Sequence, residues 1–270
     1  MHPRSVGLIV IAMVCLSLTA CDAKPKWEQY EGGIHVVLKA ESKGDAVTDT
    51  ANTAKIADMI GARLKESGVK DKIIRTCKDR EVVVQLPPCK NPDMIVHLIS
   101  YPAILAFKLV DEENPSEGTG KPVPTDDEVL TMKTWDRDTG KLVTKPIVVK
   151  QQPVLSGDVV SNVRVRTTTS PGGRDEVYVA LEFNSEGAKI FEKVTAENVG
   201  KRLAIVVDDT AYSAPVIRER ITGGNVSITG GFTLDEAKDL AIVLRVGSFP
   251  VRVKVIENKT LDRSIWLGGI

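Results

Sequence analysis

Aromatic residues are scarce, 4% of 270 positions, too few for the stacking platform with which proteins grip single-stranded nucleic acid. Neither sign of charge is in excess, with 36 Lys and Arg against 36 Asp and Glu. The basic face of a nucleic-acid binder is therefore not implied. Only three histidines occur, and His2, His35 and His97 are too far apart in the chain for metal-ligand spacing; His35 and His97 are expected as packing or surface residues. No Gly-x-Ser-x-Gly elbow, Walker loop, His-Glu-x-x-His or paired-cysteine zinc pattern occurs. Beyond the N-terminus no apolar run approaches the roughly 18 residues that cross a bilayer, which speaks against a polytopic helical membrane protein. What is present is an apolar content of 42%, too high for a disordered chain. The length gives one or two domains with a real core.

The N-terminus sets the expected compartment. Arg4 precedes an apolar run from Val6 to Leu18, long enough for a signal-peptide core and short for a spanning helix. The run ends in Leu18-Thr19-Ala20-Cys21, which resembles the bacterial lipobox, where the thiol is lipidated and the chain is cut before it. An ordinary secretory signal with a coincident cysteine, or an uncleaved anchor, is the competing reading. On the lipobox reading residues 1–20 are signal, Cys21 is the lipidation site and 21–31 form a tether. Several acyl chains would hold such a domain firmly, since one binds only marginally. Asp22 resembles the retention signal of lipoproteins kept on the periplasmic side of the inner membrane. Cys77 and Cys89 remain, and they are expected to be free. The runs Ile73–Cys77 and Glu81–Leu86 read as a hairpin around Lys78-Asp79-Arg80. That puts Cys77 at the turn and Cys89 beyond the far strand end, roughly 20 Å away at about 3.3 Å per residue, against about 7 Å between Cα atoms for a disulfide.

Periodicity and punctuation divide the rest. A strand over 34–38 follows Gly32-Gly33, and a helix runs from about Thr50 to Ser67 with Ile56, Ala57, Ile60 and Leu64 on one face. The hairpin, a helix over Pro92–Ser100 and a strand around Ile104–Leu109 complete a split βαββαβ pattern. From Asp111 the chain is acidic and rich in Pro and Gly, so 111–153 is expected as a linker. Beyond it, strands over Val163–Thr168 and Glu176–Phe183 flank the turn Ser170-Pro171-Gly172-Gly173. Asn184 caps a helix to about Val199, and Leu203–Val207 with Tyr212 onward forms a hairpin around Asp208-Asp209. Ile221-Thr222-Gly223-Gly224 returns as Ile228-Thr229-Gly230-Gly231, which two copies mark as glycine-bounded turns rather than a repeat fold. Thr233-x-x-Glu236 is a capping box for a helix with Ala237, Leu240, Ala241 and Leu244 inward, and a last strand covers Val251–Ile256.

Candidate chemistry is thin. The runs Asp111-Glu112-Glu113 and Asp126-Asp127-Glu128 match no calcium loop and are read as solvated loop charge. No nucleophile and base set is visible, so no enzyme and no cofactor are expected. From the residues alone this is an α+β binding module tethered to a membrane.

Several ordered motifs add a resemblance. Val179 through Lys189 (VALEFNSEGAK), Asn198 through Asp208 (NVGKRLAIVVD) and Tyr212-Ser213-Ala214-Pro215-Val216-Ile217 are similar to SecD. SecD is the membrane subunit that assists the Sec export channel from the far side of the membrane. Ile228-Thr229-Gly230 through Phe232-Thr233, Glu236-Ala237, Leu240-Ala241 and Leu244-Arg245-x-Gly247 continue the match. Gly32-Gly33-Ile34-His35 and Val82 through Pro87 match more loosely.

The resemblance runs from about Gly32 to Leu261 and implies the first periplasmic domain of that family. The implied fold is a ferredoxin-like base, 32–110 and 232–262, with an inserted α+β head, 154–231. The base would take its closing helix and strand from Phe232–Leu261. In the family a transmembrane helix precedes this domain and five follow; here a lipobox-like signal stands first and the sequence stops at Ile270. No proton-driven cycle by this chain alone is therefore expected. The implied role is to bind or guide emerging, unfolded polypeptide near the export channel, or to dock on Sec translocon subunits. An envelope lipoprotein keeping the fold for a structural purpose is the alternative. Candidate contacts for polypeptide are Tyr178, Val179, Leu181, Phe183 and Tyr212, with strand addition at an exposed head edge.

Overall fold

Asp45 opens the first helix: its carboxylate accepts the Thr48 N–H at 2.7 Å, satisfying one of the orphan donors that every helix start presents. The computed structural model describes residues 32–113, 123–135, 142–169 and 175–261. The signal, Cys21 and the turn at 170–173 lie outside these residues. Helix α1 (Ala46–Glu66) follows strand β1 (Gly33–Ala40) and precedes the hairpin of β2 (Ile73–Cys77) and β3 (Glu81–Leu86), then α2 (Pro92–Ser100). With β13 (Val253–Leu261) the strands form an antiparallel sheet in the order β13-β1-β3-β2. Alternation does the work in β3: Val82, Val84 and Leu86 are buried against Ile56, Ile60, Leu64 and Ile99 of the helices, while Glu81, Val83 and Gln85 face out. On that outer face His35 lies between Gln85 (3.2 Å) and Glu257 (3.4 Å).

The strand at Ile104–Leu109 does not close this sheet. β4 (Leu105–Leu109) instead pairs with β10 (Leu203–Val207), and β13 lies along the whole of β1. The side chains account for the exchange. Leu105, Ala106 and Phe107 are buried in succession, as suits a strand covered on both faces, whereas lysine-bearing β13 suits an edge.

The second sheet has the order β6-β5-β11-β10-β4-β7, with β5 (Asp127–Trp135), β6 (Leu142–Lys150), β7 (Leu155–Ser156) and β11 (Thr210–Ser213). Residues 111–153, expected as a linker, therefore contain two nine-residue strands paired from Asp127–Lys150 to Trp135–Leu142. The surrounding acidic, Pro- and Gly-rich residues masked that pairing. Their carboxylates are not simply solvated either: Lys150 Nζ lies 2.8 Å from Asp127 and 3.5 Å from both Asp111 and Asp126. A bridge between Val110 and Val149 brings the end of β4 back to β6, so the sheet curls around Leu130, Ile147, Val149, Ala204, Val206 and Ala211.

The third sheet is β12-β9-β8, antiparallel throughout, from β8 (Val160–Thr169), β9 (Asp175–Phe183) and β12 (Asn225–Phe232). Helix α3 (Ser185–Glu197) is capped by Asn184 onto Gly187 N–H at 2.8 Å. Helix α4 (Leu234–Val246) is held by the complete Thr233–Glu236 capping box. The largest core joins α3, α4 and the inner faces of the second and third sheets, including an edge-to-face trio of Phe107, Phe183 and Phe191 with centroids 5.3–5.9 Å apart.

One side chain ties these units together. Arg63 of α1 is fully buried. It donates to the carbonyls of Leu98 (3.1 Å) and Tyr101 with Nη1 and of Gly247 (3.0 Å) with Nη2, and lies 4.1 Å over the Phe249 ring. Burial pulls the guanidinium down to about 10, against the opposing pull of Asp208, so it stays charged at neutral pH. Cys77 and Cys89 are both free thiols. No helix among the described residues is long and apolar enough to cross a membrane.

Candidate functional site

A cleft of about 200 Å³ opens where α2, α4, β5, β11 and β12 meet. Four segments far apart in sequence build its aromatic wall. Tyr212 of β11 stacks on Phe232 of β12 with centroids 5.3 Å apart. Gly230 permits this, because a Cβ there would lie 3.1 Å from both rings. Tyr101, just past α2, brings its hydroxyl to 3.5 Å from that of Tyr212 and packs its ring 4.7 Å from His97. Lys133 of β5 holds its ammonium 5.1 Å from the Tyr212 centroid, within cation–π range. Leu240 and Val243 of α4 complete the apolar floor.

The charged groups at the rim differ in their roles. Glu236 serves the cap, accepting the Thr233 N–H at 2.8 Å. Burial raises the Asp239 carboxyl above its usual range, opposed by the nearby His97. Burial likewise pushes the Tyr101 phenol well above its ordinary value, reinforced by Tyr212, so it remains a neutral hydroxyl. Just behind it Asp208, a non-glycine residue at φ 55°, accepts the N–H groups of Ile104 (3.0 Å) and Ala103 (3.3 Å). Burial outweighs these donors and holds its carboxyl above the ordinary range. Among the described residues no group of three His, Cys, Asp or Glu side chains could hold a metal. The arrangement is suited to binding: an apolar cavity of roughly 150 Å³ already takes a benzene-sized guest, so this cleft is sized for one apolar or aromatic side chain.

Of the residues picked from sequence, Tyr212 lies in the cleft. Val179, Leu181 and Phe183 are buried in the main core beneath α4 and α3, so their side chains are not available to a ligand. Tyr178, half-buried, lies opposite Arg166 on the other face of the third sheet. β9 is the central strand of that sheet and has no free edge. Cys21 is outside the described residues. Sequence reasoning missed Tyr101, Lys133 and Phe232; in a chain this poor in aromatics, each exposed-segment Tyr or Phe was itself a signal. A second depression, of about 320 Å³, lies between α3, β10 and the segment 215–221, lined by Phe191, Leu203, Pro215, Val216 and Ile221.

Comparison with known proteins places these features. Residues 128–251 match the family model described as the SecDF P1 head subdomain, and residues 53–112 match that of the N-terminal part of the P1 domain of protein translocase subunit SecDF. A solved structure titled "Structure and function of a membrane component SecDF that enhances protein export" is 31% identical, with a TM-score of 0.59, and 98% of its chain is covered. The chain belongs to the SecD family. It corresponds to the first periplasmic domain of SecD. The super-membrane-facing form of SecDF is also similar, with a TM-score of 0.63 over 86% of this chain and 30% of that one. Protein translocase subunit SecD of Calditerrivibrio nitroreducens is 46% identical over 210 residues, 77% of this chain and 40% of the relative. That of Syntrophobacter fumaroxidans is 39% identical over 243 residues, 90% of this chain and 45% of the relative. The chain thus spans less than half the length of these SecD relatives.

Proposed function

We propose that this SecD-family domain serves protein export by holding unfolded, translocating polypeptide on the periplasmic side of the inner membrane. The observation that carries this reading is the cleft around Tyr101, Tyr212 and Phe232, with aromatic walls and a cation over one ring. Such a cleft takes an apolar side chain without reading its neighbours, as a carrier of many sequences requires. The sheet β13-β1-β3-β2 with helices α1 and α2 acts as a ferredoxin-like base, supported by that strand order. The inserted part acts as the head, which takes in β4 and the buried face of α4 although the sequence put 105–110 and 232–246 with the base. The base faces Sec translocon subunits and the head faces the emerging chain. Lipid on Cys21 holds the domain at the membrane. No catalysis is assigned.

A photocrosslinking residue placed at Tyr212 or Phe232 in living cells should capture exporting precursors. Crosslinks to Sec channel subunits alone would replace holding by docking. Crosslinks to neither, with no export defect on deletion, would favour the structural lipoprotein. Anchoring is tested separately: Cys21→Ser should abolish incorporation of labelled palmitate, and labelling that persists at the same processed mass rejects it.

A further inference from the structure

The outer edge of β8 carries an inference that rests on this polypeptide-holding reading and adds a second contact to it. β8 is the terminal strand of its sheet, and two hydrogen bonds show which of its backbone groups face outward. Phe183 donates its N–H to Gly224 on the β12 side at 2.9 Å. Since backbone direction alternates along an antiparallel strand, Leu181 and Val179 also address β12, while Glu182, Ala180 and Tyr178 address β8. Their partners Asn162, Arg164 and Arg166 therefore face β9, and Val163, Val165 and Thr167 turn their N–H and C=O groups outward. The second bond agrees: the Val163 carbonyl accepts from Arg245 Nη2 at 3.0 Å.

Beside that edge Val165 lines an open groove of about 510 Å³, walled by Glu66 and Ser67 at the end of α1, Asn91 and Met94 at the start of α2, and α4. Arg245 reaches across it, with Nη1 paired to Glu66 and Nη2 on Val163. A guanidinium parked on an outward strand carbonyl stands where the N–H of an added strand would lie. We infer that the groove beside β8 is a strand-addition site for the main chain of an extended polypeptide, and that Arg245 occupies its first acceptor until a strand displaces it. The recognised chemistry is the peptide backbone itself, running past Val163, Val165 and Thr167. Arg245 competes with the incoming strand, which keeps binding weak and reversible and covers an edge that would otherwise invite aggregation.

The test uses the full chain and a reduced, carboxymethylated, permanently unfolded protein. Hydrogen exchange should slow at the outward amides of Val165 and Thr167 on binding, and not at Arg164 and Arg166, which already pair with β9. Arg245→Ala should tighten binding about fivefold, the worth of one competing hydrogen bond. Thr167→Pro, which removes one outward donor at an edge that tolerates proline, should weaken it by about the same factor with an unchanged melting temperature. If Thr167→Pro fails to fold, exchange on the unmodified chain still decides the matter. Binding that protects only the cleft around Tyr212 and ignores Arg245→Ala overturns the edge site and leaves the holding reading standing. Absence of binding at millimolar ligand overturns both.

Discussion

Replacing Arg63 probes how the first sheet and its helices are joined to the rest. Its fork meets two acceptors at the end of α2 and one just past α4, the two places where the chain leaves the first sheet and returns to it. A buried acceptor left without its donor costs about 1–3 kcal/mol. Arg63→Lys keeps the charge, but a single ammonium cannot serve carbonyls on both sides as a planar fork does, so it should lose about 1–3 kcal/mol. Arg63→Met strands all three carbonyls, which gives roughly 3–9 kcal/mol by the same rule. Removing a desolvated charge returns about 1–4 of these, as exchanges of buried ions for apolar side chains do, leaving a net loss of about 2–5 kcal/mol. Against a total stability of about 5–15 kcal/mol that is a large shift of the urea midpoint, with little change in slope. The expected order is wild type, then Lys, then Met. Met within about 0.5 kcal/mol of wild type would mean that the cost of burying the charge cancels its hydrogen bonds, and the clamp reasoning would fail.

Gly187→Ala should destabilise although it lies in a helix. Alanine gains about 1 kcal/mol of propensity there, but the new Cβ would meet Val159 Cβ at 2.6 Å and Phe183 Cβ at 3.1 Å, and overpacking costs about 1–3; a raised melting temperature would show that α3 can slide. Leu240→Ala should cost roughly 2–5 kcal/mol and Thr233→Ala roughly 1 in urea titrations, and equal, negligible losses would deny α4 its place in the core. Asp208 binds its proton more tightly when folded than unfolded, so the protonated form favours folding and that contribution is lost as pH rises from about 4 through the raised folded value. Asp208→Asn should flatten stability against pH in that window, and an unchanged profile would place the Asp208 carboxyl at its ordinary value.

Local signals sufficed for much of the architecture. The 3.6-residue spacing of Ile56, Ile60 and Leu64, the alternation through Val82, Val84 and Leu86, the Asn184 cap and the Thr233–Glu236 box each lie within a few residues of what they specify, and the structure has all of them. The free state of Cys77 and Cys89 followed from the hairpin register in the same way. Pairing between distant strands was legible only through the family resemblance, which implied a closing strand from Phe232–Leu261, and β13 is that strand; the residues alone did not show it. β4 joins β10 rather than β1, and β5 with β6 emerges from a stretch that looked like linker, because a strand's partner depends on which faces other layers leave uncovered. Val179, Leu181 and Phe183 looked like a contact surface until α3 and α4 covered them. The cleft draws Tyr101, Lys133, Tyr212 and Phe232 from four segments, and no spacing in one dimension records such a meeting. By itself the sequence determined the helices, most strands and the family motifs, since these are set by propensity, period and caps. Tertiary structure alone decided which apolar side chains are core and which line a site, since burial is a property of what packs on top.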